Sequence, residues 1–360
     1  MQILIFSGAC VSLYIGAGFA TMQEVLQYEA SYGSAFWIVI LIAAIIYLYT
    51  NLSFATNGSV HGISRGGDIY SVYCGKRIGS FYDVFSALFC YMSFIVMLGG
   101  ANSTAMQQWG LPNGAGALIL AIAVLVTVLG GLNGILKALA WLGPVIILFL
   151  LIVAGASSIN GTMGFADGLA AIDSKQYVIP QIGGGNPLLS GISYGGFVIL
   201  WFASFLAEIG AKNKLKNVNT GMAISSIFIF GIATLCCMSL ISNVDLVVGA
   251  DIPALVLANR INVYFGIIFA VVIFIGIFTS AVPLLWTGIR KISQEGTVKY
   301  KFVSVAACLF GLLIAIYVPY SPLLNLLYGL NGYLGFILVA FMLVSDIKLI
   351  ISTVGARECN

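Results

Sequence analysis

Ten long apolar runs separated by short polar segments dominate the chain, at about residues 3–28, 34–55, 81–107, 114–133, 135–157, 188–209, 219–242, 263–289, 301–319 and 323–345. A helix needs roughly 20 apolar residues to cross the hydrocarbon of a bilayer, and only helices or closed barrels satisfy their backbone groups there. Runs of this length predict an all-α integral membrane protein with ten transmembrane helices. Turn-forming residues stand between them: Asn57-Gly58, Arg65-Gly66-Gly67-Asp68, Leu111-Pro112-Asn113-Gly114, Asn160-Gly161, Gly183-Gly184-Gly185-Asn186-Pro187 and Tyr320-Ser321-Pro322. The first run has no basic segment ahead of it and no small-residue cleavage site, so it reads as a retained span.

Composition agrees with the pattern. Of 360 residues 61% are hydrophobic and 8% charged, and the mean hydropathy of +1.08 excludes a water-soluble surface. A net charge of +3 from scattered cations cannot form the basic face that nucleic acids require. The seven cysteines lie mostly in apolar runs without a C-x-x-C spacing, which predicts neither disulfides nor a zinc site. His61 is the sole histidine, in a polar loop, so no Ser-His-Asp triad or histidine metal cluster has the residues it needs, and no enzyme or cofactor is expected.

Lys and Arg mark the cytoplasmic side of a membrane protein. With both termini inside, every cation falls on an inner segment except Lys175 and Arg260. The pattern thus predicts a multi-pass protein of a plasma (cytoplasmic) membrane, with N- and C-termini cytoplasmic.

The first run contains Tyr14-Ile15-Gly16-Ala17-Gly18-Phe19 near mid-membrane, and the sixth contains Ser193-Tyr194-Gly195-Gly196-Phe197. Glycine loosens a helix interior, although small residues also let membrane helices pack closely. Matched interruptions opening two five-span halves predict inverted repeats with helices 1 and 6 broken, the arrangement that marks a secondary transporter's site. The corresponding organisation is residues 1–157 as first repeat, 158–187 as external loop, 188–346 as inverted second repeat and 347–360 as cytoplasmic tail.

At Gly16-Ala17-Gly18-Phe19-Ala20-Thr21-Met22-Gln23-Glu24, followed by Tyr32-Gly33, the chain resembles the bacterial YkvI-type membrane proteins, whose signature has glycine where this chain has Met22. Through them it resembles the amino acid, polyamine and organocation transporter superfamily. The resemblance implies the LeuT-type five-plus-five inverted fold. It also implies a sodium ion between the first helix and a Thr-Ser pair in the eighth. Carried over by position, the ligands are the carbonyls of Ser12, Ile15 and Gly276 with the hydroxyls of Thr279 and Ser280, just before Pro283. Oxygen-only coordination suits an alkali cation, although such hydroxyls often bond back to their own helix.

Glu24 is an acid expected within the first span, and an intramembrane acid is a functional candidate unless it merely sits at a hydrated interface. Gln23 beside it is a hydrogen-bonding candidate. The helix restarting near Phe19 points N–H groups at the break, which suits a carboxylate. A zwitterionic solute would then meet amides near Gly18 and Gly196 and carbonyls near Tyr14 or Tyr194, with Gly16, Ala17, Gly195, Tyr91 and Trp201 completing the pocket. Asp83 is expected at a solvated interface or paired with Lys76 or Arg77, and Pro253 is placed to open a short helix in an outer loop. The expectation is an ion-coupled secondary transporter of a small organic solute, an amino acid or related amine, with sodium as the ion, working by alternating access. A ligand-sensing receptor that moves nothing and a proton-coupled exchanger are the alternatives. A channel lacks its filter or charged ring. The partners implied are a small-molecule substrate and the lipid bilayer.

Overall fold

The computed structural model describes residues 2–14, 17–130 and 142–358, and the regular elements among them are all helical. The first apolar run is divided into α1 (Gln2–Tyr14), α2 (Ala17–Ala20) and α3 (Gln23–Tyr28), followed by a 3-10 turn over Ala30–Ala35. There follow α4 (Phe36–Val60), α5 (Ile69–Trp109), α6 (Ala115–Gly130), α7 (Leu142–Ile159) and the short α8 (Phe165–Asp173). Beyond a glycine-rich loop come α9 (Pro187–Lys212), α10 (Leu215–Ile241), α11 (Val244–Val247), α12 (Pro253–Ile261), α13 (Val263–Arg290), α14 (Val298–Tyr317) and α15 (Tyr320–Glu358). Among the described residues 7 helical stretches are long and apolar enough to cross a membrane, and Ala115–Gly130 and Pro144–Ile159 are apolar but shorter. Between those two lie residues 131–141, outside the described residues together with Lys137.

Helix ends follow the sequence. Asn186 accepts from the Leu188 N–H at 2.9 Å with Pro187 next to it, and Asn262 accepts from Tyr264 at 2.8 Å. Both place an oxygen where a helix has unpaired donors. Pro253 opens α12 as its missing N–H allows. The third run differs from expectation: α5 starts at Ile69, and its first turns bury Ile69, Tyr70 and Tyr73 against the protein. Lys76 and Arg77 therefore stand on that helix, just after a bend at Gly75, where φ is 71°.

α9 runs at the centre, packed along α4 on one side and α15 on the other, while α13 packs along α5 and α10 lies against α1, α4 and α7. The expected break at Gly195-Gly196 is not there. Pro187–Lys212 is one helix through both glycines. A Cβ on Gly196 would stand 1.9 Å from the Gly332 carbonyl oxygen, one on Gly335 would stand 1.9 Å from the Gly196 oxygen, and one on Gly195 would meet Ile46 at 2.8 Å. These glycines serve close backbone approach between helices, and their N–H groups stay within the helical ladder. The proposed second anchor for a carboxylate at Gly196 is thereby removed.

At one end of the bundle α15 is tied to α4 by Asp346. Its carboxylate accepts from Tyr49 at 2.9 Å, Ser53 at 2.5 Å and Asn57 at 2.8 Å. Asp346→Ala removes the acceptor shared by three side chains, of which Ser53 keeps the Tyr73 hydroxyl and Asn57 the Ser53 carbonyl, and should lower stability by about 1–2 kcal/mol, with Asp346→Asn recovering part of it. Thermal unfolding in detergent reads this directly, and an unchanged midpoint would mean that water replaces the carboxylate. Asp83 pairs with Arg65 at 2.6 Å and with Lys291, rather than with Lys76 or Arg77. Glu208 pairs with Lys212 at 3.0 Å and accepts from the Gly66 N–H at 3.1 Å.

Candidate functional site

The site is built on the divided first helix. α1 ends at Tyr14, α2 spans one turn, and the chain turns at Thr21-Met22 before α3, whose six residues are all buried. Met22 has φ 59° and ψ 7°, a left-handed conformation that costs an L-residue roughly 1–2 kcal/mol. This is the position at which the resembling motif carries glycine. Thr21 locks the turn: its hydroxyl donates to the Gly18 carbonyl at 2.7 Å, receives the Gln23 N–H at 3.3 Å and meets the Tyr320 hydroxyl at 3.2 Å. The Thr21 carbonyl accepts the Ala254 N–H of α12 at 3.1 Å, so this short helix caps the turn. A residue as ordinary as Thr21 gave no signal in the sequence beyond its place in the motif.

Glu24 is 4% exposed and folds back on the break: a Cβ on Gly18 would stand 1.7 Å from its Oε1. The protein's own carboxylate thus lies against Gly18, where a solute carboxylate was expected. Glu29, overlooked because it follows the end assigned to the first span, is 0% exposed. Among the described residues these two acids are the only buried charged side chains, so the interior holds carboxylates and no buried cation. The carbonyl oxygens of Gln23 and Gln27 also lack hydrogen-bond partners there, while the Gln27 amide donates to the Ser321 hydroxyl at 2.5 Å.

Aromatic rings wall this acidic interior. Tyr28 stacks on Tyr194 with centroids 4.5 Å apart, Tyr14 meets Tyr194 at 6.2 Å, and Phe197 stacks on Tyr328 at 4.6 Å. Trp201 crosses Tyr328 at 5.7 Å, and its indole N–H donates to Ser93 at 3.2 Å. The hydroxyls of Tyr28, Tyr194 and Tyr328 are buried without hydrogen-bond partners among the described residues. Buried hydroxyls and amides usually find partners, so this concentration is unusual.

The structure therefore brings Tyr14, Gly18, Gln23, Glu24, Tyr194 and Trp201 into one buried region, with Ala17 opening α2. Tyr91 is drawn elsewhere, its hydroxyl donating to the Ala307 carbonyl of α14 at 2.9 Å. Gly195 and Gly196 fill helix seams, and Ile15 and Gly16 lie outside the described residues. Of the residues assigned to sodium, Ser12 lies in α1 and Gly276, Thr279 and Ser280 in α13, against which α2 packs. The Thr279 hydroxyl donates to the Gly276 carbonyl at 2.7 Å, so these two oxygens are bonded to each other.

Solved structures share this architecture. A variant of the manganese transporter of Eremococcus coleocola aligns with TM-score 0.60 and 17% identity over 96% of this chain and 78% of its own. MhsT in complex with L-phenylalanine gives 0.60 and 16% over 91% and 88%, and the inward-facing conformation of Mhp1 gives 0.56 and 14% over 95% and 74%. These neighbours are LeuT-fold transporters rather than enzymes, and the chain is a multi-pass membrane protein of that fold. In sequence it is similar to the uncharacterized membrane protein YkvI of Bacillus subtilis (strain 168), with 23% identity over 334 residues, 92% of this chain and 93% of that one. No family model matches the chain.

Proposed function

We propose that this protein is an ion-coupled secondary transporter of a small organic solute, an amino acid or related amine, working by alternating access in a bacterial plasma membrane. The single observation that carries the reading is the buried turn at Thr21-Met22 in the first apolar run, with the Glu24 carboxylate folded back against Gly18. Irregular backbone at membrane depth is tolerated where it is enclosed by protein, and that is where transporters of inverted-repeat design hold cargo. In this reading α1–α3 together form the first of ten crossings and the termini are cytoplasmic, an orientation supported by the distribution of Lys and Arg. The LeuT fold of the chain and of its transporter neighbours supports the same class.

The acidic interior gives the solute's charge. With Glu24 against Gly18 and no buried cation among the described residues, an ammonium group is the complement, and the rings of Tyr28, Tyr194 and Tyr328 add cation–π attraction. Uptake of radiolabelled amino acids and their decarboxylated amines into proteoliposomes tests this, and no accumulation of either group retires it. Sodium near Gly276, Thr279 and Ser280 is the proposed coupling ion. Thr279→Ala is then expected to weaken sodium dependence roughly tenfold, the value of one lost ligand interaction. Uptake indifferent to replacing sodium with choline would end sodium's role. The bond between Thr279 and Gly276 favours a proton as the alternative coupling ion.

A further inference from the structure

Glu29 is wholly enclosed, and neither carboxylate oxygen has a hydrogen-bond partner among the described residues. Its backbone is fully used: the N–H donates to Val25 at 3.1 Å and the carbonyl accepts from Tyr32 at 3.0 Å. The side chain is thus held at the joint between α3 and the 3-10 turn. That joint is covered by the loop before α9, where the Ile182 N–H donates to the Gln27 carbonyl at 3.3 Å and Tyr32 donates to the Ile182 carbonyl at 2.6 Å.

The groups in electrostatic reach of Glu29 are Glu24 from α3, Tyr14 from α1, Tyr194 from α9, and Cys236 and Cys237 from α10. Four other elements also pack against α3, of which α2 carries no titratable side chain. The 3-10 turn brings Tyr32, already bonded to Ile182, and α15 brings Tyr320 and Tyr328, which face Glu24. α12 has Arg260, engaged with Asn243. None of the groups reaching Glu29 is a cation, and the Tyr194 hydroxyl is itself buried without a hydrogen-bond partner. An unpaired carboxylate in such surroundings is costly, and the group takes up a positive charge instead. A hard alkali ion needs a shell of several oxygens. Phenols and thiols make a poor one, whereas a proton needs no shell and neutralises the carboxylate by itself.

We infer that Glu29 is a proton-binding site, neutral in this closed arrangement and releasing its proton to water when the joint at α3 opens. The carboxylate takes a proton from hydronium on one side, one O–H bond forming as another breaks, and returns it to a water molecule on the other by the reverse exchange. Its role as the group coupling proton to solute movement rests on the transporter reading; proton occupancy does not.

Infrared spectroscopy of the full chain in lipid tests the occupancy. The wild type should show the C=O stretch of a protonated carboxylic acid that fades as pH rises, is unmoved by sodium chloride at fixed pH, and is diminished in Glu29→Gln. It should persist in Glu24→Gln. A band undiminished by Glu29→Gln, a wild type without one, or its conversion by sodium to an ionised carboxylate would each overturn the inference. The wild-type pH and sodium titrations decide it even where Glu29→Gln does not fold. In proteoliposomes, Glu29→Gln should lose the severalfold stimulation of uptake by an inward proton gradient, and retained stimulation would overturn the coupling role. A wild type that moves no solute would count against the transporter reading alone, leaving the band to judge the proton site.

Discussion

Gly196→Leu is expected to prevent the chain from assembling into a stable, monodisperse protein. The first atom of any side chain at this position would sit 1.9 Å from the Gly332 carbonyl oxygen, and the reciprocal position Gly335 faces the Gly196 oxygen at the same distance. The obstacle is backbone on a facing helix, which cannot swing aside as a side chain would. The cost should therefore exceed the ~1–3 kcal/mol of ordinary overpacking, a large part of the stability of a typical domain. Gly196→Ala should already broaden the elution profile in detergent and lower the unfolding temperature. Gly8 on α1 has no atom within 4 Å of its would-be Cβ, so Gly8→Ala serves as the neutral control. Normal assembly of Gly196→Leu would mean that α9 and α15 stand further apart than this packing requires, and would restore the hinge reading of Gly195-Gly196.

That pair of glycines shows where sequence pattern stops being informative. Long apolar runs report helices directly, because lipid permits little else, and α4, α9, α10 and α13 appear close to where hydropathy places them. Glycine inside such a run has two opposed uses, loosening a backbone or admitting a neighbouring one. In the first helix the break at Met22 is a backbone event, visible in the motif because the related signature carries glycine there. In α9 the reason for Gly196 lies on α15, more than 130 residues further along, and no local pattern exposes it.

Burial of charge was legible only in part for the same reason. Glu24 stands inside an apolar run and declares itself. Glu29 follows the run, where hydropathy cannot distinguish an interfacial acid from one covered by a distant loop, and the covering residue Ile182 comes from the connection before α9. Asp346 falls at the edge of the last run, and its partners Tyr49, Ser53 and Asn57 lie on one face of α4 at helical spacing. That face reads as an unremarkable polar stripe until α15 is laid against it. Tyr91 failed as a pocket residue because α14 offers its hydroxyl a carbonyl, a partner that residue type alone does not reveal.

Glu24→Gln separates the two meanings of a buried acid most sharply. The carboxylate sits against Gly18 with no buried cation among the described residues, so it is unfavourable when no ligand is bound and favourable when an ammonium reaches it. The amide keeps the shape and removes the charge, so the ligand-free protein should unfold at the same or a higher temperature. The gain on adding a primary amine should disappear, because a charge-assisted hydrogen bond is worth about 1.5–3 kcal/mol, or roughly 10–100-fold in affinity. Thermal unfolding of both proteins against a panel of amines and their parent amino acids measures the two effects in one experiment. A merely interfacial acid would leave both midpoint and ligand response unchanged. A midpoint that falls with the ligand response intact would instead make Glu24 a structural brace for the break at Met22, and cargo recognition would then have to come from the rings of Tyr28, Tyr194 and Tyr328.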